Sequence, residues 1–200
     1  MIIAFEGHNG VGKTTIAKNI SYTLGYEYLY SVDKNILENG LKERFIKDAS
    51  WYASALFFLA GSMETKRNII ENYNNKNVVL DRSFWSTLAV HWDRGDSELR
   101  VIKDIIKDAK NYLPIPDVIF LLNADYTSCN DRINSKTDIL NKHLDDIVDR
   151  DYFQKELNFY DWLRKNNTDS IIIDIDTNNL SIDEITNLCL NHIDKLGERV

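Results

Sequence analysis

Apolar residues recur along this chain in two patterns. Short runs at Ile2 to Glu6, Tyr26 to Val32, Val78 to Asp81, Val118 to Leu122 and Ile171 to Ile175 are apolar through most of their length, which predicts five strands. Between them the period lengthens. From Lys13, Ile16, Ile20 and Leu24 fall on one helical face. Ile36 to Lys47 reads as a helix, and Ser50 to Tyr73 as a long one carrying Trp51, Ala55, Phe58, Leu59 and Ile69. Ser97 to Tyr112 turns Val101, Ile105, Ile106 and Ala109 inward before Pro114 and Pro116 close it. Further helices are expected at about 126–135, at 144–165, and from Leu180 to Leu196, the last capped by Ser181 with Glu184 three residues on. Strands apolar on both faces belong in a parallel sheet covered by helices on each side. The expectation is a single three-layer α/β domain spanning residues 1–200, with a five-stranded parallel sheet.

Composition narrows the class. With 44% apolar and 28% charged residues the chain can bury a core and is not disordered. Its net charge of −7 argues against a nucleic-acid polymer as partner. Cys129 and Cys189 stand apart and no Cys or His has metal-ligand spacing, which points to a reducing, cytoplasmic setting. No apolar run reaches the roughly 20 residues of a membrane span. The first strand follows Met1 directly, without the basic region and cleavage site of a signal peptide.

The densest chemical signal is Gly7-His8-Asn9-Gly10-Val11-Gly12-Lys13-Thr14, a G-x-x-x-x-G-K-[ST] motif between a predicted strand and a predicted helix. Glycines let backbone N–H groups turn inward around a phosphate, and the helix N-terminus adds partial positive charge. Lys13 then reaches the β- and γ-phosphates, and the Thr14 hydroxyl is placed for Mg²⁺. Gly7 through Thr15 are therefore the expected nucleotide cradle of a P-loop NTPase fold, with ATP and Mg²⁺ as cofactors. A carboxylate at the carboxyl end of a parallel strand lies at the rim of such a crevice. Asp81 can hold a metal-bound water there, and Arg82 can bridge donor and acceptor phosphates.

Several of these pieces resemble one family. Phe5-Glu6-Gly7 leading into Gly10-x-Gly12-Lys13-Thr14-Thr15 resembles the opening of thymidylate kinase and of the related deoxynucleoside kinases. Asp81-Arg82-Ser83 followed by Ser86-Thr87-Leu88-Ala89 resembles the thymidylate kinase D-R-Y-x-x-S-x-x-A signature, and Pro116 to Leu122 looks like the family's P-D-x-x-x-x-L strand. The resemblance implies phosphoryl transfer to a small acceptor, a homodimer, and an arginine before a basic lid, the place of Arg132 here. A lid-like segment is expected at about 134–150, where Lys136, Lys142, His143 and Arg150 are further candidates; Gly10 replaces the loop arginine of one subgroup.

The acceptor side departs from the pattern. Asn9 replaces the family's loop aspartate, Ser31-Val32-Asp33 stands where E-P-G-G-T is expected, and Ser62 occupies an acceptor-phosphate arginine position. Arg44 and Arg67 are candidate replacements, although helix-surface charge is the simpler reading of each. Asp33 raises another option, because a hydroxyl acceptor needs a base for its proton and a phosphate does not. Deoxynucleoside kinases carry a carboxylate there and an E-R-S triplet that Asp81-Arg82-Ser83 approaches. Phe57, Phe58, Trp85 and Trp92 could clamp a base or fill the core. The leading reading is a thymidylate kinase-like enzyme acting on a nucleoside monophosphate. A kinase of a nucleoside 5′-hydroxyl and a non-catalytic nucleotide switch are the alternatives.

Overall fold

Val78 to Asp81 has no polar residue before its last position, and the strands opening and centring the chain are nearly as apolar. Such strands have no face to offer water and take the middle of the sheet. The computed structural model describes residues 1–37, 41–92, 104, 107, 110–135 and 149–197. Strands β1 (Ile2–Gly7), β2 (Glu27–Tyr30), β3 (Val78–Asp81), β4 (Val118–Asn123) and β5 (Ile171–Asp176) form one parallel sheet in the order β2-β3-β1-β4-β5. The edge strands β2 and β5 are the ones that tolerate Glu27, Asp174 and Asp176.

Among the described residues the helices are α1 (Lys13–Leu24), α2 (Lys34–Leu37), α3 (Leu41–Lys47), α4 (Trp51–Asn72), α5 (Phe84–His91), α6 (Tyr126–Asn134), α7 (Arg150–Asn166) and α8 (Ile182–Gly197). Alternation along the strands sorts them into two layers. Ile3, Phe5, Phe120 and Leu122 point to the face where Ile16 and Ile20 of α1 meet Ile185 and Ile193 of α8. The opposite side chains, among them Ala4, Leu80, Ile119 and Leu121, lie under α4, α5 and α7, represented by Ile69, Leu88 and Phe159. Each buried Leu, Ile or Phe contributes roughly 1.5–3 kcal/mol, so these two half-cores hold the three layers together.

Helix boundaries differ from the periodicity in instructive ways. Within the span expected as one helix, Ile36 to Lys47, α2 ends at Leu37 and α3 begins at Leu41, with 38–40 outside the described residues. Helix α5 was not legible from period, because six of its eight residues are buried and it has no polar face to mark it. The Ser97–Tyr112 helix falls largely outside the described residues; Asp104 and Lys107 are helical and Lys110–Tyr112 is a 3₁₀ turn. The capping box at α8 is present, with Glu184 Oε2 accepting from the Ser181 N–H and hydroxyl, and Ser181 Oγ accepting from the Glu184 N–H.

Candidate active site

Parallel pairing brings two chain reversals together. Phe5 pairs with Asp81 on one side of β1 and Phe120 on the other, so the loop after β1 and the residues after β3 emerge side by side where the sheet order changes direction. The Arg82 N–H donates to Phe5 O at 3.1 Å and seals the junction.

The loop backbone depends on glycine at two close approaches. Gly7 has φ +131°, and a Cβ there would lie 2.1 Å from Leu122 O; Gly10 has φ +86°, and a Cβ would lie 2.4 Å from Cys129 O. Beyond Gly12 there is open space, where a phosphate can enter against the first turn of α1. Lys13 folds back across the loop, its Nζ donating to Gly7 O at 2.8 Å and His8 O at 2.5 Å. Burial, reinforced by the nearby Arg82 cation, lowers its pKa to about 7 despite the opposing carboxylates Glu156, Asp81 and Glu6.

Arg82 has φ +68°, a left-handed conformation unusual outside glycine. Its guanidinium donates to Ser86 Oγ at 3.2 Å and to Asn9 Oδ1, so the residue in the family's aspartate position anchors the arginine to the loop. Burial opposes the charge on Arg82, yet Tyr160, Glu156, Glu6 and Asp81 hold its pKa above the usual guanidinium value. Asp81 is buried and accepts the Tyr28 hydroxyl at 2.9 Å. The partial burial of Tyr28 itself, with the Asp81 carboxylate beside it, pushes its phenol well up. Thr14 and Thr15 are exposed at the start of α1.

Three residues beyond the expected set complete the centre. Glu6 is fully buried and accepts hydrogen bonds from Ser83 N–H, Ser83 Oγ, Ser86 Oγ and Tyr160 Oη. Tyr160, on α7, accepts from the Gly7 N–H at 3.2 Å. Glu156, also on α7, pairs with His8 Nδ1 at 2.9 Å, while the His8 ring stacks on Phe153 at 4.0 Å. The His8 side chain is thus packed inside the protein with Nδ1 held by Glu156, and its backbone carbonyl accepts from Lys13. A signal for Glu6 was available, since it is the one charged residue of β1. Glu156 and Tyr160 carried none, because their helix meets the loop only in three dimensions.

The remaining candidates divide clearly. Arg132 donates to Thr177 Oγ1 and Thr177 O and lies at the β5–α8 turn, so its guanidinium is engaged by that turn. Arg150 lies over the Tyr126 ring at 5.0 Å. Lys136, Lys142 and His143, with most of the lid-like segment, lie outside the described residues. On the acceptor side Arg67 is an exposed partner of Glu64 and Glu71, which removes it from the clamp. Arg44, with Phe45, Asp48 and Ala49, lines a cavity of about 420 Å³ at the α3–α4 corner. Phe45 stacks on Phe57 at 4.2 Å and Phe58 meets Phe57 edge-on. Trp92 packs on Phe159 and Trp162 and Trp85 on Phe84, so both tryptophans serve the core. Ser62 is buried and hydrogen-bonded to Phe58 O. Asp33 follows β2, its carboxylate accepting from Asn68 Nδ2 at 3.3 Å.

Comparison with known proteins agrees with this geometry. The family model described as deoxynucleoside kinase matches residues 3–196. A probable thymidylate kinase of Methanococcus maripaludis is 28% identical over 98% of this chain and 96% of its own, and one of Sulfolobus acidocaldarius is 33% identical over 70% and 72%. Among solved structures, a deoxyadenosine kinase from M. mycoides with dCMP and dCDP bound superposes with TM-score 0.76 at 20% identity, covering 98% of this chain and 100% of that one. Thymidylate kinase from Candida albicans superposes with TM-score 0.74 at 19% identity, covering 98% and 92%. A phosphate loop, a half-buried arginine beside it and a family match across nearly the whole chain place this protein in the deoxynucleoside kinase family, as a thymidylate kinase-like P-loop kinase of nucleosides or nucleotides.

Proposed function

We propose that this kinase transfers the γ-phosphoryl group of ATP, with Mg²⁺, to a nucleoside monophosphate. The observation that carries the monophosphate reading is the near full-length match to relatives named as probable thymidylate kinases. Arg44, on the α3–α4 cavity, is in this reading the candidate cation in place of the family's acceptor arginine, whose position holds Ser62.

In this reading the loop N–H groups from Gly10 to Thr14 receive the β-phosphate, and the Lys13 amine exchanges the Gly7 and His8 carbonyls for phosphate oxygens. Arg82, held between Asn9 and Ser86, carries charge stabilisation at the boundary between donor and acceptor. The donor set fits Mg²⁺: Thr14 offers an exposed hydroxyl and Asp81 a carboxylate, hard oxygens that leave the remaining positions to water and phosphate. When bound, the ion neutralises phosphate charge.

A second reading, phosphorylation of a nucleoside hydroxyl, is favoured by Asp33 at the end of β2, where a carboxylate could take the hydroxyl proton. A panel of deoxynucleosides and their monophosphates, scored by ADP release, tests the proposal. ADP should appear only when an acceptor is added, with the highest kcat/KM for a monophosphate. A nucleoside as best acceptor would replace the first reading by the second, and ATP consumption indifferent to any acceptor would discard both.

A further inference from the structure

Glu6 does not touch the open mouth of the phosphate loop. It is the last residue but one of β1, on the sheet face covered by α5 and α7, and its two oxygens are filled by protein donors. Oε1 accepts the Ser83 N–H and hydroxyl, both at 2.7 Å, and Oε2 accepts the Ser86 hydroxyl at 2.6 Å and the Tyr160 hydroxyl at 3.3 Å. Four donors saturate a carboxylate. A buried carboxylate so completely satisfied is expensive to assemble, and its partners show what it is for.

Two of those partners lead to Arg82. A left-handed backbone at a residue with a Cβ is strained and persists only where its surroundings over-determine it. Here the strain is clamped from both sides. The Arg82 N–H is held by Phe5 O at 3.1 Å, and the N–H of the next residue, Ser83, by Glu6. Ser86 then links side chain to side chain, donating its proton to Glu6 while its oxygen accepts from the Arg82 guanidinium. The third partner leads to the phosphate loop, because Tyr160 donates to Glu6 and accepts from the Gly7 N–H at 3.2 Å. One carboxylate therefore registers the bridging arginine against the first glycine of the loop.

The geometry points to Glu6 as a positioning residue for phosphoryl transfer, acting through Ser83, Ser86 and Tyr160 to fix Arg82 relative to the phosphate cradle. This rests on the reading of Arg82 as the group that meets phosphate charge. Displacement of such a group by about 1 Å can cost about 10²-fold in rate.

Glu6→Gln keeps the shape of the side chain but sets an amide NH₂ against two hydroxyls. The Ser86 oxygen already accepts from Arg82, and the Tyr160 oxygen already accepts from Gly7. The expected result is a fall in kcat of about 10²-fold, with KM for ATP and calorimetric affinity for ADP changed by less than about threefold. A double-mutant cycle with Arg82→Ala separates positioning from a general structural role. If Glu6 acts through Arg82, Glu6→Gln costs little more once Arg82→Ala is present; full additivity overturns the proposal. Normal kcat in Arg82→Ala sinks the underlying reading of Arg82, whereas a collapsed Arg82→Ala beside a normal Glu6→Gln overturns the role of Glu6 alone. Should Glu6→Gln fail to give a cooperative thermal transition, Ser86→Ala decides. It removes the hydroxyl bridge to the guanidinium and should lower kcat about tenfold at unchanged ADP affinity, and unchanged kcat there rejects the inference.

Discussion

Lys13 should make nucleotide binding depend steeply on pH above neutrality. Its amine is buried against Gly7 and His8 carbonyls, and burial together with Arg82 brings its pKa from 10.5 to about 7. Phosphate oxygens at the amine favour its charged form, returning the pKa in the complex towards or above its ordinary value. Only the protonated lysine meets phosphate as a cation, so the apparent Kd for ATP should rise by the factor 1 + 10^(pH − 7). That is about 11-fold at pH 8 and about 100-fold at pH 9 relative to the low-pH limit. Binding at pH 8 should accordingly take up about 0.9 proton.

The free protein should move in the opposite direction. In the unfolded chain the amine keeps its proton up to about 10.5, whereas in the fold it loses it above about 7. Its burial therefore detracts from stability in full below pH 7, and the loss is relieved as pH rises from 7 towards 10.5. The lysine effect is read between pH 7 and 9, because above about 9 the thiols act in the opposite sense: unfolded they ionise near 9, whereas burial raises Cys129 to about 11 and Cys189 to about 12 in the fold. The assay is isothermal titration with ATP between pH 7.5 and 9 in two buffers of different ionisation enthalpy. That range lies above the last phosphate titration, near pH 6 to 7 by analogy with phosphate esters. Lys13→Met is the control and should remove the proton uptake and flatten the profile. A flat Kd in the wild-type protein, with no proton uptake at pH 8, would refute the reasoning, since the amine would then be charged throughout.

The fold was legible because the strands are short and apolar, and their number, direction and approximate bounds follow from that. The phosphate loop was legible because its chemistry is local: glycines, lysine and threonine must lie within eight residues to wrap one phosphate. What escaped was long-range. Asn9 reads as a lost aspartate in sequence, and only the approach of Arg82 shows what the amide does. Tyr160 and Glu156 reach the loop across about 150 positions of chain, and nothing in the amphipathic pattern of α7 distinguishes them from its other buried residues. Arg132 shows the converse. Its sequence position implied a phosphate contact, and in the fold its guanidinium is drawn to the carbonyls of the β5–α8 turn.

Three further perturbations probe other levels of the structure. Gly7→Ala forces a Cβ to within 2.1 Å of Leu122 O at φ +131° and should cost about 3 kcal/mol or more, read as a lowered denaturation midpoint; an unchanged midpoint would contradict the loop geometry. Ser181→Ala removes an exposed capping box and should lower stability by about 1 kcal/mol in urea unfolding without altering kcat. Asp33→Asn addresses the acceptor. A phosphate acceptor enters already anionic and has no proton to lose, so the monophosphate reading expects the substitution to act on acceptor KM, through the lost carboxylate partner of Asn68. A hydroxyl acceptor must surrender its proton, and removing its base should lower kcat by about 10²-fold or more with ATP binding unchanged. Arg82→Ala calibrates the comparison, because turnover should fall under either reading. Steady-state kinetics with the best acceptor of the panel then decides. A selective collapse of kcat at constant acceptor KM would transfer this kinase from monophosphates to nucleosides and make Asp33 its base.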